Sequence, residues 1–99
     1  MNMKIKFVKT SEFFPEQYDA FDEAGNQVGY LRLRHSWFRV DFPKNGGVTI
    51  YEAHPQGDGI FEDDERGFFL QEAYNSIVRK LSRVNDKDHS WYIVDDQEL

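Results

Sequence analysis

The stretch Gln27-Val28-Gly29-Tyr30-Leu31-Arg32-Leu33-Arg34-His35-Ser36-Trp37-Phe38-Arg39-Val40-Asp41-Phe42 decides the fold. On either side of His35-Ser36 its residues alternate in two sets, which is the period of a β-strand. The pattern predicts strands over 27–34 and 37–43 joined by a two-residue turn. In the register that turn sets, Leu33 faces Phe38 and Leu31 faces Val40. On the opposite side Arg34 faces Trp37, Arg32 faces Arg39 and Tyr30 faces Asp41. A slip by one residue would mix the two sets. His35 and Ser36 are uncommon choices here, because a two-residue hairpin turn asks both central positions for a primed geometry.

Working outward, Lys44-Asn45-Gly46-Gly47 is a clear hairpin turn, since Asn-Gly supplies left-handed positions. A fifth strand is expected over 48–53, with Arg39 opposite Glu52 and Asp41 opposite Ile50. Upstream, residues 4–9 alternate, with Ile5 and Phe7 on one side and Lys4 and Lys6 on the other. Pro15 interrupts, a strand follows over 17–22, and Glu23-Ala24-Gly25-Asn26 turns the chain.

Downstream, His54-Pro55-Gln56-Gly57-Asp58-Gly59 reads as a loop. Leu70, Ala73, Ile77, Leu81 and Val84 then recur at spacings of three and four, the stripe of an amphipathic helix of about five turns. The acids Glu62-Asp63-Asp64-Glu65 precede that stripe and Arg79, Lys80 and Arg83 close it, as the helix dipole favours. Asp63 or Asp64 is the expected N-cap. Residues 90–95 form a last strand, apolar without alternation, expected to be buried on both faces or to pair centrally. Residues 95–99 are an acidic tail.

The expected fold is therefore α+β: an antiparallel meander sheet of five to six strands, one long amphipathic helix on one face, and a C-terminal strand. The 99 residues suit a single domain. A formal net charge of −6 disfavours non-specific binding to a phosphate backbone. There is no cysteine, so disulfides, thiol catalysis and cysteine zinc sites are excluded. The N-terminus is broken by lysines and does not read as a signal peptide. No apolar run approaches the roughly 20 residues a membrane helix needs. A cytoplasmic location is the expectation.

One helix covers only one sheet face, and Leu31, Leu33, Phe38, Val40 and Phe42 make the apolar face that should take it. The other would carry Phe21, Val28, Tyr30, Trp37 and Ile50 among Arg32, Arg34, Arg39, Asp19 and Glu52. Arginine and aromatic residues together are the composition of binding hot spots. Arg32 opposite Arg39 is unfavourable unless an anion lies between them. Tyr30, Arg32, Arg34, Trp37 and Arg39 are thus the candidate partner-binding residues. The bland alternative is a solvated face whose arginines are neutralised by Glu52, Asp41 and Asp19. His35, His54 and His89 share no ligand spacing, and the serines lie in no nucleophile elbow, so no catalytic or metal residue is nominated.

The segment Tyr18-Asp19-Ala20-Phe21-Asp22-Glu23-Ala24-Gly25-Asn26-Gln27-Val28-Gly29-Tyr30-Leu31 resembles the central hairpin of GNAT acyltransferases. The later order of strand, Gly-x-Gly loop, amphipathic helix and strand is also similar. That resemblance implies coenzyme A binding, with Gly57 and Gly59 as its backbone contacts. Gln56-Gly57-Asp58-Gly59 is one residue shorter than the family's pyrophosphate motif and is followed by acids.

The leading functional reading is a small non-catalytic interaction module that uses the aromatic–arginine face and needs no cofactor. Its partner would be another protein, a second copy of the chain or a small anionic ligand, with neither nucleic acid nor membrane. A reduced GNAT-like acyltransferase or coenzyme A-binding protein is the alternative. An acidic inhibitor that imitates nucleic acid ranks third, because the acids cluster at the helix start and the tail.

Overall fold

The computed structural model describes residues 3–11, 13–81 and 89–95. Its strands are β1 (Met3–Lys9), β2 (Glu16–Phe21), β3 (Gln27–Arg34), β4 (Trp37–Phe42), β5 (Val48–Ala53) and β6 (His89–Asp95). One helix, α1 (Asp63–Leu81), lies between β5 and β6. The sheet order is β5-β4-β3-β2-β1-β6. β1 to β5 pair antiparallel as a meander, and β6 adds parallel to β1. The expected α+β architecture is the one observed.

The β3–β4 hairpin has the register its alternation predicts, from Arg34 opposite Trp37 to Tyr30 opposite Asp41. His35 and Ser36 take φ of 54° and 58°, the left-handed values such a turn demands. The turn is held there by what the register buries: Leu31, Leu33, Phe38 and Val40 are all fully buried.

The neighbouring pairs depart from simple alternation. The β4–β5 register shifts between Val40 and Asp41, so Asp41 faces Thr49 and not Ile50, although Arg39 faces Glu52 as expected. The β2–β3 register shifts between Ala20 and Phe21, so Phe21 faces Gln27. Each bulge opposes two residues to one and turns the extra side chain. As a result Val28 joins the buried core and Ile50 packs against it, half-buried, and both leave the face on which alternation had placed them.

The helix buries Leu70, Ala73, Tyr74, Ile77 and Val78 against the sheet. The approach is close: a Cβ on Gly29 would stand 2.7 Å from Ile77 Cδ1. Leu81, expected in this stripe, is the last helical residue and is 38% exposed. Val84 lies outside the described residues. The N-cap is Glu62 rather than either aspartate. Its carbonyl accepts from the amides of Glu65 (3.0 Å) and Arg66 (3.1 Å). Glu65 reaches back to the Glu62 amide at 3.0 Å, the reciprocal bond of a capping box.

With 19 residues, α1 is about 28 Å long. It runs along the strands: Phe69 near its start, with Phe61 just before it, packs on Phe38, and Lys80 near its end lies over Phe42, both in β4. β6 pairs with β1 alone, so it is an edge strand, not the central one its apolar run suggested. Trp91 packs on Phe7 with ring centroids 5.6 Å apart and donates to Gln71 Oε1 at 2.7 Å. Tyr92 and Ile93 stay about two-fifths exposed.

Candidate functional site

The sheet face opposite α1 carries five of the chain's twelve basic side chains, with Asp19, Asp41 and Glu52 among them. Register and ring contacts place Lys4, Lys6, Phe21, Arg32, Arg34, Trp37, Arg39 and Tyr92 on it. Lys4 Nζ lies 5.6 Å from the Tyr92 ring centroid and Lys6 Nζ 5.9 Å from that of Phe21, both within cation–π range. The alternation of residues 4–7 already pointed both lysines away from the core. What it lacked was the pairing that sets them beside Phe21 and Tyr92.

The five expected contact residues behave differently from one another. Tyr30 is buried among its strand neighbours, and its hydroxyl bonds Gln17 Oε1 at 3.0 Å. Trp37 is 39% exposed and donates from Nε1 to Glu52 Oε1 at 2.9 Å. Arg39 is committed internally. Its Nε lies 3.4 Å from Asp41 Oδ2, its Nη2 donates to Asn45 Oδ1 at 3.2 Å, and its guanidinium lies 5.5 Å from the Trp37 ring centroid. Asp41, only 3% exposed, also accepts from Thr49 and from the Gly46 amide. Asp41 is thus the carboxylate that relieves Arg39 opposite Arg32. Arg32 and Arg34 have no hydrogen-bond or ion-pair partner among the described residues.

Comparison with protein-family models, with curated proteins and with solved structures finds no match to this chain. The site is therefore read from its own chemistry.

The loop before α1 does form a cradle of backbone amides, and a side chain fills it. Glu65 accepts from the amides of Gln56 (2.9 Å), Gly57 (2.9 Å) and Glu62 (3.0 Å). Burial would raise the Glu65 pKa, but these amides and the nearby Arg66 charge outweigh it and hold the carboxyl below the ordinary value. A pyrophosphate at these amides would have to displace that carboxylate. A Cβ on Gly57 would fall 1.9 Å from the Ile60 carbonyl oxygen, so this loop admits only glycine there. Gly59 lies elsewhere, against the Phe14 side chain.

Gly59 belongs to a cleft of about 690 Å³ at one end of the sheet, lined by Phe14, Pro15, Arg34, His35, Asp58, Gly59 and Ile60. Alternation and turn signals place each of these residues in a loop or at a strand end, and no local pattern says that they meet. Behind the cleft wall, Glu16 is buried and accepts from Tyr18, from the Phe61 amide at 2.9 Å and from Arg66 Nε at 2.8 Å. Burial works to raise the Glu16 pKa, but these donors and the guanidinium charge bring it below the ordinary value. Burial, and then the adjacent carboxylate, push the Tyr18 hydroxyl up.

His54 Nδ1 lies 3.2 Å from the Ser36 carbonyl oxygen, a role in tying the loop to the hairpin turn. Among the described residues no three His, Cys, Asp or Glu side chains converge as metal ligands, and no helix is long and apolar enough to cross a membrane.

Proposed function

We propose that this chain is a small interaction module whose open sheet face docks an acidic segment of a partner protein. The observation that carries the reading is the state of Arg32. It faces Arg39 across the β3–β4 pair, Asp41 serves Arg39, and Arg32 has no anionic partner among the described residues. Lys4, Lys6 and Arg34 extend the positive strip, and Trp37, Phe21 and Tyr92 supply ring surface between the charges. A guanidinium beside exposed rings suits planar carboxylates better than a purely apolar surface. In a chain of net charge −6, such a strip also steers acidic partners to one face.

The test uses a fluorescent peptide alternating glutamate with tyrosine as the probe. Wild-type protein should bind it, with affinity falling as salt rises. The double change Arg32→Glu with Trp37→Ala should keep the fold and weaken binding at least about tenfold, as loss of a charged contact does. No binding at millimolar peptide, or equal binding by the double variant, sinks the proposal. Light scattering on the same samples reads the other occupant of this face, a second copy. A dimer that the double change dissolves would replace the acidic partner by self-association.

A further inference from the structure

The cleft at the end of the sheet has the dimensions and chemistry of a ligand site distinct from the proposed docking face, sharing with it Arg34 alone. Its volume of about 690 Å³ lies within the usual span of small-molecule pockets, about 300–1,000 Å³. Three walls are apolar: Phe14, Pro15 and Ile60. Phe14 is 73% exposed and Ile60 45%, although both line one concavity. Both leave ring and aliphatic surface facing the same space.

The polar groups are few and uncommitted. Arg34 and Asp58 line the same cleft yet form no ion pair with each other, and neither side chain has a hydrogen-bond partner among the described residues. The walls are nonetheless tied down. The Ser36 amide donates to the Asp58 carbonyl at 2.7 Å, and the Glu16 amide donates to the Gly59 carbonyl at 2.7 Å. A preformed pocket also spares the ligand the cost of ordering loops.

We propose that this cleft binds a small apolar carboxylic acid. The ring or branched alkyl body lies against Phe14, Pro15 and Ile60, and the carboxylate meets the Arg34 guanidinium, with His35 beside it. Asp58 on the same rim limits the ligand to a single negative charge. A free acid and the C-terminal carboxylate of a peptide ending in an aromatic residue share this chemistry.

The experiment is a two-dimensional ¹H–¹⁵N NMR titration of the full chain with 3-phenylpropionate. Saturable shifts are expected at the amides of Arg34, His35, Gly59 and Ile60. The neutral analogue 3-phenylpropionamide and the dianion phenylsuccinate should each bind at least about tenfold more weakly, the loss expected for one charged contact. Arg34→Met keeps the side-chain stem and should weaken 3-phenylpropionate by a similar factor, and Ile60→Ser should do the same. Arg32→Glu with Trp37→Ala should leave this titration unchanged, which separates the cleft from the sheet face. A short peptide ending in phenylalanine that binds more tightly than the free acid assigns the ligand to a chain terminus. Equal or weaker binding assigns it to a free acid. Absence of shifts at those four amides up to ~10 mM ligand overturns the proposal. Equal binding of acid and amide does so too, and that comparison needs only the wild-type protein.

Discussion

Arg66 Nε donates to Glu16 Oε2 at 2.8 Å and so joins the first turns of α1 to the start of β2. Glu16 is 1% exposed, and the Arg66 side chain is only partly so. Arg66 Nη2 also donates to Glu16 Oε1 at 3.2 Å and to the Phe61 carbonyl at 3.1 Å, closing the loop that leads into the helix. Removing one member of a buried pair strands the other charge. Arg66→Ala should therefore cost about 3 kcal/mol, the low end of the range for broken buried pairs. Urea unfolding measures it, and a loss within ordinary surface scatter of about 0.5 kcal/mol contradicts this account.

The same carboxylate sets an acid limit. Glu16 and Glu65 both have folded pKa values below the ordinary one. A depressed carboxylate stabilises the fold fully above its unfolded pKa of about 4.3 and loses that contribution as pH falls through the folded value. Stability should hold from neutrality down to about pH 5 and then decline. In Glu16→Gln the wild-type decline below that point should be shallower, which thermal melts across pH 2.5–6 would read.

Two glycines make opposite predictions. Gly67 sits inside α1, and a Cβ there would meet nothing within 4 Å. Gly67→Ala should stabilise the protein by about 0.5–1 kcal/mol through helix propensity. Gly57→Ala should destabilise it, because the added carbon would meet the Ile60 carbonyl oxygen at 1.9 Å. Denaturant midpoints that move the same way for both variants would contradict this reading of the loop.

Helix truncations should separate along its length. Ile77 is fully buried against the sheet at Gly29, so Ile77→Ala should cost about 2–5 kcal/mol. Leu81 is 38% exposed, so Leu81→Ala should cost under about 1 kcal/mol. Equal losses at the two sites would place Leu81 in the core after all.

By itself the sequence determined the strands, the helix and the β3–β4 register. Alternation over 27–42 and the three–four spacing over 70–81 are local signals, and burying Leu31, Leu33, Phe38 and Val40 together leaves one register. It also placed Tyr30, Arg32, Arg34, Trp37 and Arg39 on one side of that hairpin, because side-chain direction in a strand follows parity. Tertiary structure decided the rest. Bulges at Ala20/Phe21 and Val40/Asp41 moved Val28 into the core and Ile50 against it, and parity fails wherever one residue is inserted. The N-cap shifted to Glu62 because the Glu65 carboxylate was drawn to three amides, two of them from the preceding loop. β6 took the edge beside β1, a parallel pairing between the two ends of the chain that its apolar composition does not encode. The cleft exists only because Phe14, Arg34 and Ile60, far apart along the chain, are brought to one end of the sheet by strand pairing and two loop hydrogen bonds.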